Sequence, residues 1–400
     1  MNISCSGEGK VLIIPQSGAA VLGGSWSSEK GCVKESLYLE WQEGKVRVLR
    51  PLKKEEKNWK SSQELFSWEN YILMPGFIDT HVHLALDSVD FTSCLERWSD
   101  NLVMEIEIRK HLQQYLEYGI VAIRDGGDLP GYGWLAREHI NEGQWCGPFV
   151  ISVREAVAKK GMYGRFLGRG FLNLDQWLME KEEFFRQGTD QLKVIVTGII
   201  SFKEYGKVGP VQWSEEELRE IVDSAHELGK TVMAHASGEE GIRRAIGAGV
   251  DSIEHGYYIT SEQLAQLKEK GIAWVPTVAP IGNILKYPSE RYSSLEIENL
   301  NKILRGHLAS ICEAYELGVK LGIGTDAGAY LVPHGKSFWD ELEWMREGGI
   351  PQEEILRMAT RENAQLCGLT DFGKLEIGTP LMNLQLADFS GDWFQEEKDK

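Results

Sequence analysis

Two textures of apolar and polar positions divide the chain. Up to about residue 70, short apolar runs alternate with glycine, serine and charge clusters: Val11-Leu12-Ile13-Ile14, Ala19-Ala20-Val21-Leu22, Leu37-Tyr38-Leu39 and Val46-Arg47-Val48-Leu49. Such runs are too short for a helical stripe, so they predict a small β-meander or sandwich. The charged run Lys53-Lys54-Glu55-Glu56-Lys57 predicts a solvated loop, and the charged residues 396–400 a frayed tail. From Phe77 to about Gly368 the pattern alternates between strand and helix. Residues 214–228 show one such unit in full. Ser214 and Glu217 have capping-box spacing, Leu218, Ile221, Val222, Ala225 and Leu228 fall on one helical face, and Gly229 ends the run. The strand Thr231-Val232-Met233-Ala234-His235 follows at once.

The same arithmetic predicts helices over 241–249, from Thr260 (with Gln263 as cap partner) to Gly271, and over about 297–317. Each leads into a strand, at 250–255, 272–277 and 319–326. Earlier strands are predicted at 77–84, 120–125, 149–154 and 191–196, which makes eight. Eight strand–helix units predict a (β/α)8, TIM-like barrel whose chemistry lies at the C-terminal ends of its strands. A doubly wound open sheet is the alternative. The expected organisation is 1–70 as the N-terminal part of a small β-sandwich domain, 71–368 as the barrel, and 369–400 as the C-terminal part of the small domain and tail.

The chain has 400 residues, 60 acidic and 43 basic, for a net charge of −17. That balance argues against a nucleic-acid backbone or an anionic membrane surface as partner. No apolar run reaches membrane-spanning length, and the first residues lack a basic segment followed by an apolar one. Six scattered cysteines without a C-x-x-C pair suit a reducing compartment, so the expectation is a cytoplasmic protein acting on a small molecule, with self-association left open.

The strand Pro75-Gly76-Phe77-Ile78-Asp79-Thr80-His81-Val82-His83-Leu84 carries the densest chemistry. Alternation along a strand sends His81 and His83 to one face, where two imidazoles can grip one metal ion, with Asp79 a step deeper to orient a ligand. A pair of hydrogen-bonded histidines in a polar cleft fits equally well. The strand-end residues downstream shift the balance: Lys193, His235, His255 and Asp326 end the fourth, fifth, sixth and eighth strands. Only a closed ring of strands brings those ends to one mouth, and four imidazoles, a carboxylate and a lysine there are most simply a metal site.

Further stretches fit the same set: Gly119-Ile120-Val121-Ala122-Ile123-Arg124-Asp125-Gly126-Gly127, Ser252-Ile253-Glu254-His255-Gly256, Gly324-Thr325-Asp326-Ala327-Gly328 and Ala359-Thr360-Arg361-Glu362-Asn363-Ala364. In this order they resemble the amidohydrolase superfamily over nearly the whole chain, and within it the imidazolonepropionase-like and Xaa-Pro dipeptidase (prolidase) branch. The resemblance implies two divalent metal ions, zinc (Zn2+) or another first-row metal. His81, His83 and Asp326 would hold the inner ion and His235 and His255 the outer one, with Lys193 bridging them as an N-carboxylated lysine. A desolvated lysine has a lowered pKa, so its neutral amine can add CO2, and two cations would stabilise the carbamate. The implied reaction is attack of a metal-bridging hydroxide on a carbonyl, with Asp326 taking the proton and passing it to the leaving amine.

The substrate expected from this branch is a dipeptide, N-acyl amino acid or cyclic amide bearing a carboxylate. A deaminase or lactonase on the same metals is the first alternative and an inactive scaffold the second, although a scaffold would be expected to lose ligands. Substrate contacts are expected from the glycine-rich basic loop with Lys159, Lys160, Tyr163, Arg165 and Arg169, which reads either as an anion site or as a solvated turn, and from His334 in the loop after the eighth strand. His111, His139, His226 and His307 fall in helical stretches and are expected to be structural.

Overall fold

In the N-terminal stretch the apolar runs become seven strands: β1 (Asn2–Cys5), β2 (Lys10–Ile13), β3 (Gly18–Ser27), β4 (Gly31–Val33), β5 (Leu37–Gln42), β6 (Lys45–Pro51) and β7 (Leu65–Pro75). Seven more follow, interleaved with helices: β8 (Phe77–Val82), β9 (Ile120–Asp125), β10 (Phe149–Ser152), β11 (Leu192–Ile195), β12 (Val232–Ala236), β13 (Ser252–His255) and β14 (Ala273–Val275), before a final β15 (Leu384–Asp388). This computed structural model describes residues 2–5, 9–54, 65–388 and 393. Residues 55–57 of the charged run and the tail 396–400 lie outside the described residues.

The first sheet has the order β2-β1-β15-β7-β3-β5-β6, with β4 on the edge of β3. Alternation in β5 buries Leu37, Leu39 and Trp41 and exposes Glu40 and Gln42. The Trp41 ring stacks on Trp68 of β7 at 5.7 Å, in a core shared with Ile3, Leu73 and Leu386. β15 lies between β1 and β7, so residues 384–388 return to the sheet that the chain began.

The remaining strands are parallel, in two sheets, β10-β9-β8 and β11-β12-β13-β14. Their edges are linked. Ile195 N donates to Val157 O (2.9 Å) and Val157 N to Lys193 O (2.8 Å). On the other side, Trp274 N donates to Lys320 O (2.8 Å), and Asp326 N and Thr80 N join segments 320–327 and 80–83 through bonds to His81 O (2.7 Å) and Ile323 O (3.1 Å). Hydrogen bonds therefore pass through eight parallel segments and return to β8. The eighth segment, expected as a strand over 319–326, pairs only at isolated bridges. Packing explains part of this: a Cβ on Gly324 would lie 2.6 Å from Val275 Cγ1 and 2.9 Å from His81 N, so this backbone must pass bare against its neighbours.

Helix starts follow their caps. Capping boxes form at Ser214/Glu217, Thr260/Gln263 and Ser293/Glu296, and the third starts its helix at Ser294 rather than near 297. β10 stops at Ser152, short of 154, where Arg154 takes a left-handed φ of 59°. No described helix is long and apolar enough to cross a membrane.

A single π-helical turn, Met358–Glu362, sets Asn363 under the junction of the first and eighth segments. Asn363 Nδ2 donates to Ile78 O (2.6 Å) and Ile323 O (2.9 Å), while its Oδ1 accepts from Ile323 N (3.0 Å). This amide staples two segments that the ring needs side by side. Asn363→Ala is expected to lower the free energy of unfolding by about 2–4 kcal/mol, from several buried backbone groups left unpaired. Urea unfolding checks this, and a midpoint like that of the parent would rule the staple out.

Candidate metal centre

The pleat of β8 directs Asp79 and His81 to the inside of the ring, and His83 follows directly after its last residue; all three are buried. His81 Nε2 and His83 Nε2 lie 3.6 and 3.5 Å from Asp326 Oδ1, and these three residues form a group able to hold one metal ion. Lys193 Nζ reaches in from β11, 3.1 Å from His81 Nε2 and 3.3 Å from His83 Nε2. Gly126 leaves room for this meeting, because a Cβ there would stand 2.6 Å from His83 Cε1 and 2.7 Å from Lys193 Nζ. The rings of His235 and His255 close the group, 4.5 Å apart, with His255 4.9 Å from His81. The six expected residues thus lie in one cluster.

The electrostatics suit cation binding. Desolvation, reinforced by the charge of Lys193, holds His81 and His83 well below the usual imidazole range and His235 down to about 3. Neutral rings present lone pairs. Desolvation also lowers Lys193 to about 8, so roughly one amine in ten is neutral at pH 7. The Asp326 carboxyl is raised to about 7, again by burial first. His235 Nε2 is buried with no protein hydrogen-bond partner among the described residues, an arrangement that costs free energy unless something binds it. The donor set, four neutral imidazoles with a carboxylate and a neutralisable lysine, therefore fits divalent ions of the first row.

The supporting groups are those that spacing did not single out. His81 Nδ1 donates to Glu254 Oε2 (2.7 Å), which leaves the lone pair on Nε2 facing the cluster. Glu254 is in turn held by Arg124 Nη2 (2.8 Å), a guanidinium that is only 2% exposed and also bonds Ser252 Oγ (3.2 Å). His255 Nδ1 meets Thr277 Oγ1 at 2.7 Å. Asp79 accepts from Thr325 N (3.0 Å) and Thr325 Oγ1 (2.7 Å), so it sets the backbone next to Asp326 rather than a histidine ring. Both His255 (φ 68°) and Asp326 (φ 58°) take left-handed backbone, a strained conformation for such side chains that is typical of functional positions. A signal for Glu254 and Arg124 was present: single charges inside the apolar strands Ile253-Glu254-His255 and Ile123-Arg124-Asp125 can be buried only as partners.

Above the cluster opens a cavity of ≈ 330 Å³, lined at its floor by His83, His235, His255 and Asp326. Of the expected substrate contacts, Tyr163 lies on its wall, with its ring 5.3 Å from that of His235. His334 does not: its Nδ1 meets Tyr115 OH and its Nε2 meets Leu86 O, both at 2.7 Å, so both ring nitrogens are used in holding the loop after β8. Lys160 and Arg165 are exposed and absent from the lining. Lys159 pairs with Glu217 (3.5 Å) and Arg169 with Glu155 (3.8 Å), which favours the solvated-turn reading of the basic loop. His111 and His307 are buried and bond backbone carbonyls, His226 pairs with Asp251, and His139 stacks on Trp145.

Ring-closed parallel strands with a cluster able to hold a metal ion at one end define a class of α/β protein. The chain belongs to the amidohydrolase family, whose model matches residues 72–381. It is 28% identical over 317 residues to an ochratoxinase of Aspergillus niger, covering 72% of this chain and 64% of that protein. The chain thus spans somewhat less than two thirds of this curated relative. A 5-methylthioadenosine/S-adenosylhomocysteine deaminase of Pelotomaculum thermopropionicum is 24% identical over 339 residues, covering 80% of this chain and 72% of that one. The solved structure of a Xaa-Pro dipeptidase with bound methionine in the active site shares the fold with a TM-score of 0.76 at 22% identity, covering 91% of this chain and 92% of that one.

Arg124 and Glu254 generate a prediction. Arg124→Met leaves a carboxylate buried without its cation and is expected to cost about 3–5 kcal/mol of stability in urea unfolding. The double variant Arg124→Met/Glu254→Gln should recover part of that loss, as a coupled pair does. Glu254→Gln alone should weaken metal binding by about 10–100-fold in competition with a chromophoric chelator. Additive losses would mean that the two residues act independently.

Proposed function

We propose that this chain is a metal-dependent hydrolase that cleaves an amide or cyclic amide C–N bond of a small molecule. One observation carries the reading: His81, His83, Asp326 and Lys193 converge on one space, with the unpartnered Nε2 of His235 in the same cluster. The ring of eight segments is read as a (β/α)8 barrel spanning 71–368, and residues 1–70 with 369–400 as a small β-sandwich domain. The named relatives include an ochratoxinase, a deaminase and a dipeptidase, a range that supports C–N hydrolysis and leaves the substrate to the cavity. Six scattered cysteines without a C-x-x-C pair support a reducing, cytoplasmic setting.

His81, His83 and Asp326 would hold one divalent ion, and His235 and His255 a second, with zinc the first metal to test. When bound, the pair would supply a water acidified to near neutrality and would polarise the substrate carbonyl. The neutral amine of Lys193 would add to the carbon of CO2, forming an N–C bond and releasing one proton, to give a carbamate with two oxygens for the ions. Asp326, beside the space where the attacking water would sit, would take a proton from it and deliver it to the leaving amine. Tyr163, on the cavity wall beside His235, would lie against the bound substrate, where a phenol O–H could donate to an oxygen gaining negative charge. The deaminase reading rests on the relative of that name, and ammonium release against carboxylate release separates the two.

Purified protein is expected to carry close to two divalent ions per chain by elemental analysis. His81→Ala or His255→Ala should lower that content and abolish turnover, whereas full activity after exhaustive chelation would exclude the reading. Lys193→Ala removes the proposed bridge while keeping four histidines and Asp326. It should lose one or both ions and nearly all activity, with concentration-dependent rescue by formate, acetate or propionate in the presence of metal. Wild-type metal content and rate in this variant would make Lys193 structural.

A further inference from the structure

The cavity above the cluster is lopsided in its chemistry. Its polar groups gather at the histidine end, with Ser237 the one other polar side chain apart from tyrosines. The rest of the wall is apolar, including Leu86, Phe91, Phe166, Ile199, Phe202 and Tyr330, and none of the lining residues is a lysine or arginine. The wall is built from two sides. Phe91 meets Phe166 edge-on at 4.9 Å. Opposite, residues 197–211 fold back as a ribbon, with Ser201 N donating to Lys207 O (2.8 Å) and Gly209 N to Ile199 O (2.9 Å). Asn299 pins the ribbon by donating to Phe202 O (2.9 Å) and Lys203 O (3.2 Å), and Tyr258 OH accepts from Gly206 N (3.1 Å). Despite this anchoring, Phe91 and Ile199 remain 45% and 57% exposed.

Large apolar side chains held in water at the opening of an apolar cavity gain free energy when an apolar group covers them. An anionic group seated on the same wall would lose its hydration without a partner to replace it. We propose that this cavity receives an uncharged aromatic or comparably bulky apolar group of the substrate, and that no substrate carboxylate is read on its wall. This rests on the hydrolase reading above and departs from the carboxylate-bearing substrate expected from sequence. Cations that could contradict it are Arg291, which is exposed and lies 4.3 Å over the ring of Tyr330, and the exposed Arg165 and Lys203, next in sequence to Phe166 and Phe202.

The test uses metal-replete, full-length protein and a matched substrate set: naphthoyl, benzoyl and acetyl amides of leucinamide and of leucine. kcat/KM is expected to rise at least 30-fold from acetyl to naphthoyl at a fixed amine, and each carboxamide should match or exceed its carboxylate partner. In parallel, calorimetry with acetonaphthone, an uncharged aromatic ketone without a C–N bond, should show binding that Ile199→Asp weakens about tenfold. Acetyl substrates as fast as naphthoyl ones, or carboxylates preferred tenfold or more, would overturn the proposal; loss of that preference in Arg291→Met would then locate the anion site. Absence of ketone binding would overturn it as well. If the ketone binds with the stated dependence while no amide is cleaved, the ligand class stands and the hydrolase reading fails.

Discussion

The site exists only because residues 323–327 lie beside residues 80–83. Thr80 Oγ1 donates to Ile323 O across a separation of 243 residues, and Asp79 holds Thr325 through both its backbone and its hydroxyl. Closing so long a loop carries an entropic cost that grows only slowly with length, and a few buried, well-formed polar bonds can offset it. The Asn363 amide does the same from below. Without this seam Asp326 would not meet His81 and His83, and the cluster would lose its one carboxylate.

Burial around the seam has two effects of opposite sign. It penalises every charge inside the ring, so Arg124 and Glu254 persist only as a hydrogen-bonded pair. The same desolvation keeps the imidazoles neutral and brings Lys193 and Asp326 towards neutral pH. Stability is thus given up at the positions proposed to hold metal and to move a proton. The left-handed backbone of His255 and Asp326 belongs to the same exchange, since both strained residues sit where segments end at the cluster.

What could be read from the sequence was whatever depends on local period and local caps. The alternation of Asp79, His81 and His83 was legible because a strand has one periodicity, and the helices at Glu215–His226 and Ser261–Lys270 because Ser214 and Thr260 announce them. The eighth segment was recognisable by Gly324-Thr325-Asp326, yet its glycines let the backbone press on β8 and leave little regular pairing. Glu254 and Arg124 were passed over because their partners, His81 and each other, lie far away in sequence. His334 shows the opposite error: a histidine in a loop near the mouth suggested a ligand contact, but Tyr115 and Leu86, far away in sequence, occupy both its nitrogens. The basic loop could be read either way from sequence, since Glu217, the partner of Lys159, comes from another part of the chain.

β15 has a consequence for biosynthesis. It joins β1 to β7 in the first sheet, and it comes from residues 384–388. On a ribosome adding about 5–20 residues per second, the hairpin of β1 and β2 must wait on the order of tens of seconds for its central neighbour to be synthesised. During that interval β1 presents an unpaired edge, the kind of surface that chaperones shield and that misassembles with other nascent chains. The sheet that holds β1 and β2 is therefore completed only once residues 384–388 are made, and termination of translation before them would leave β1 without that partner.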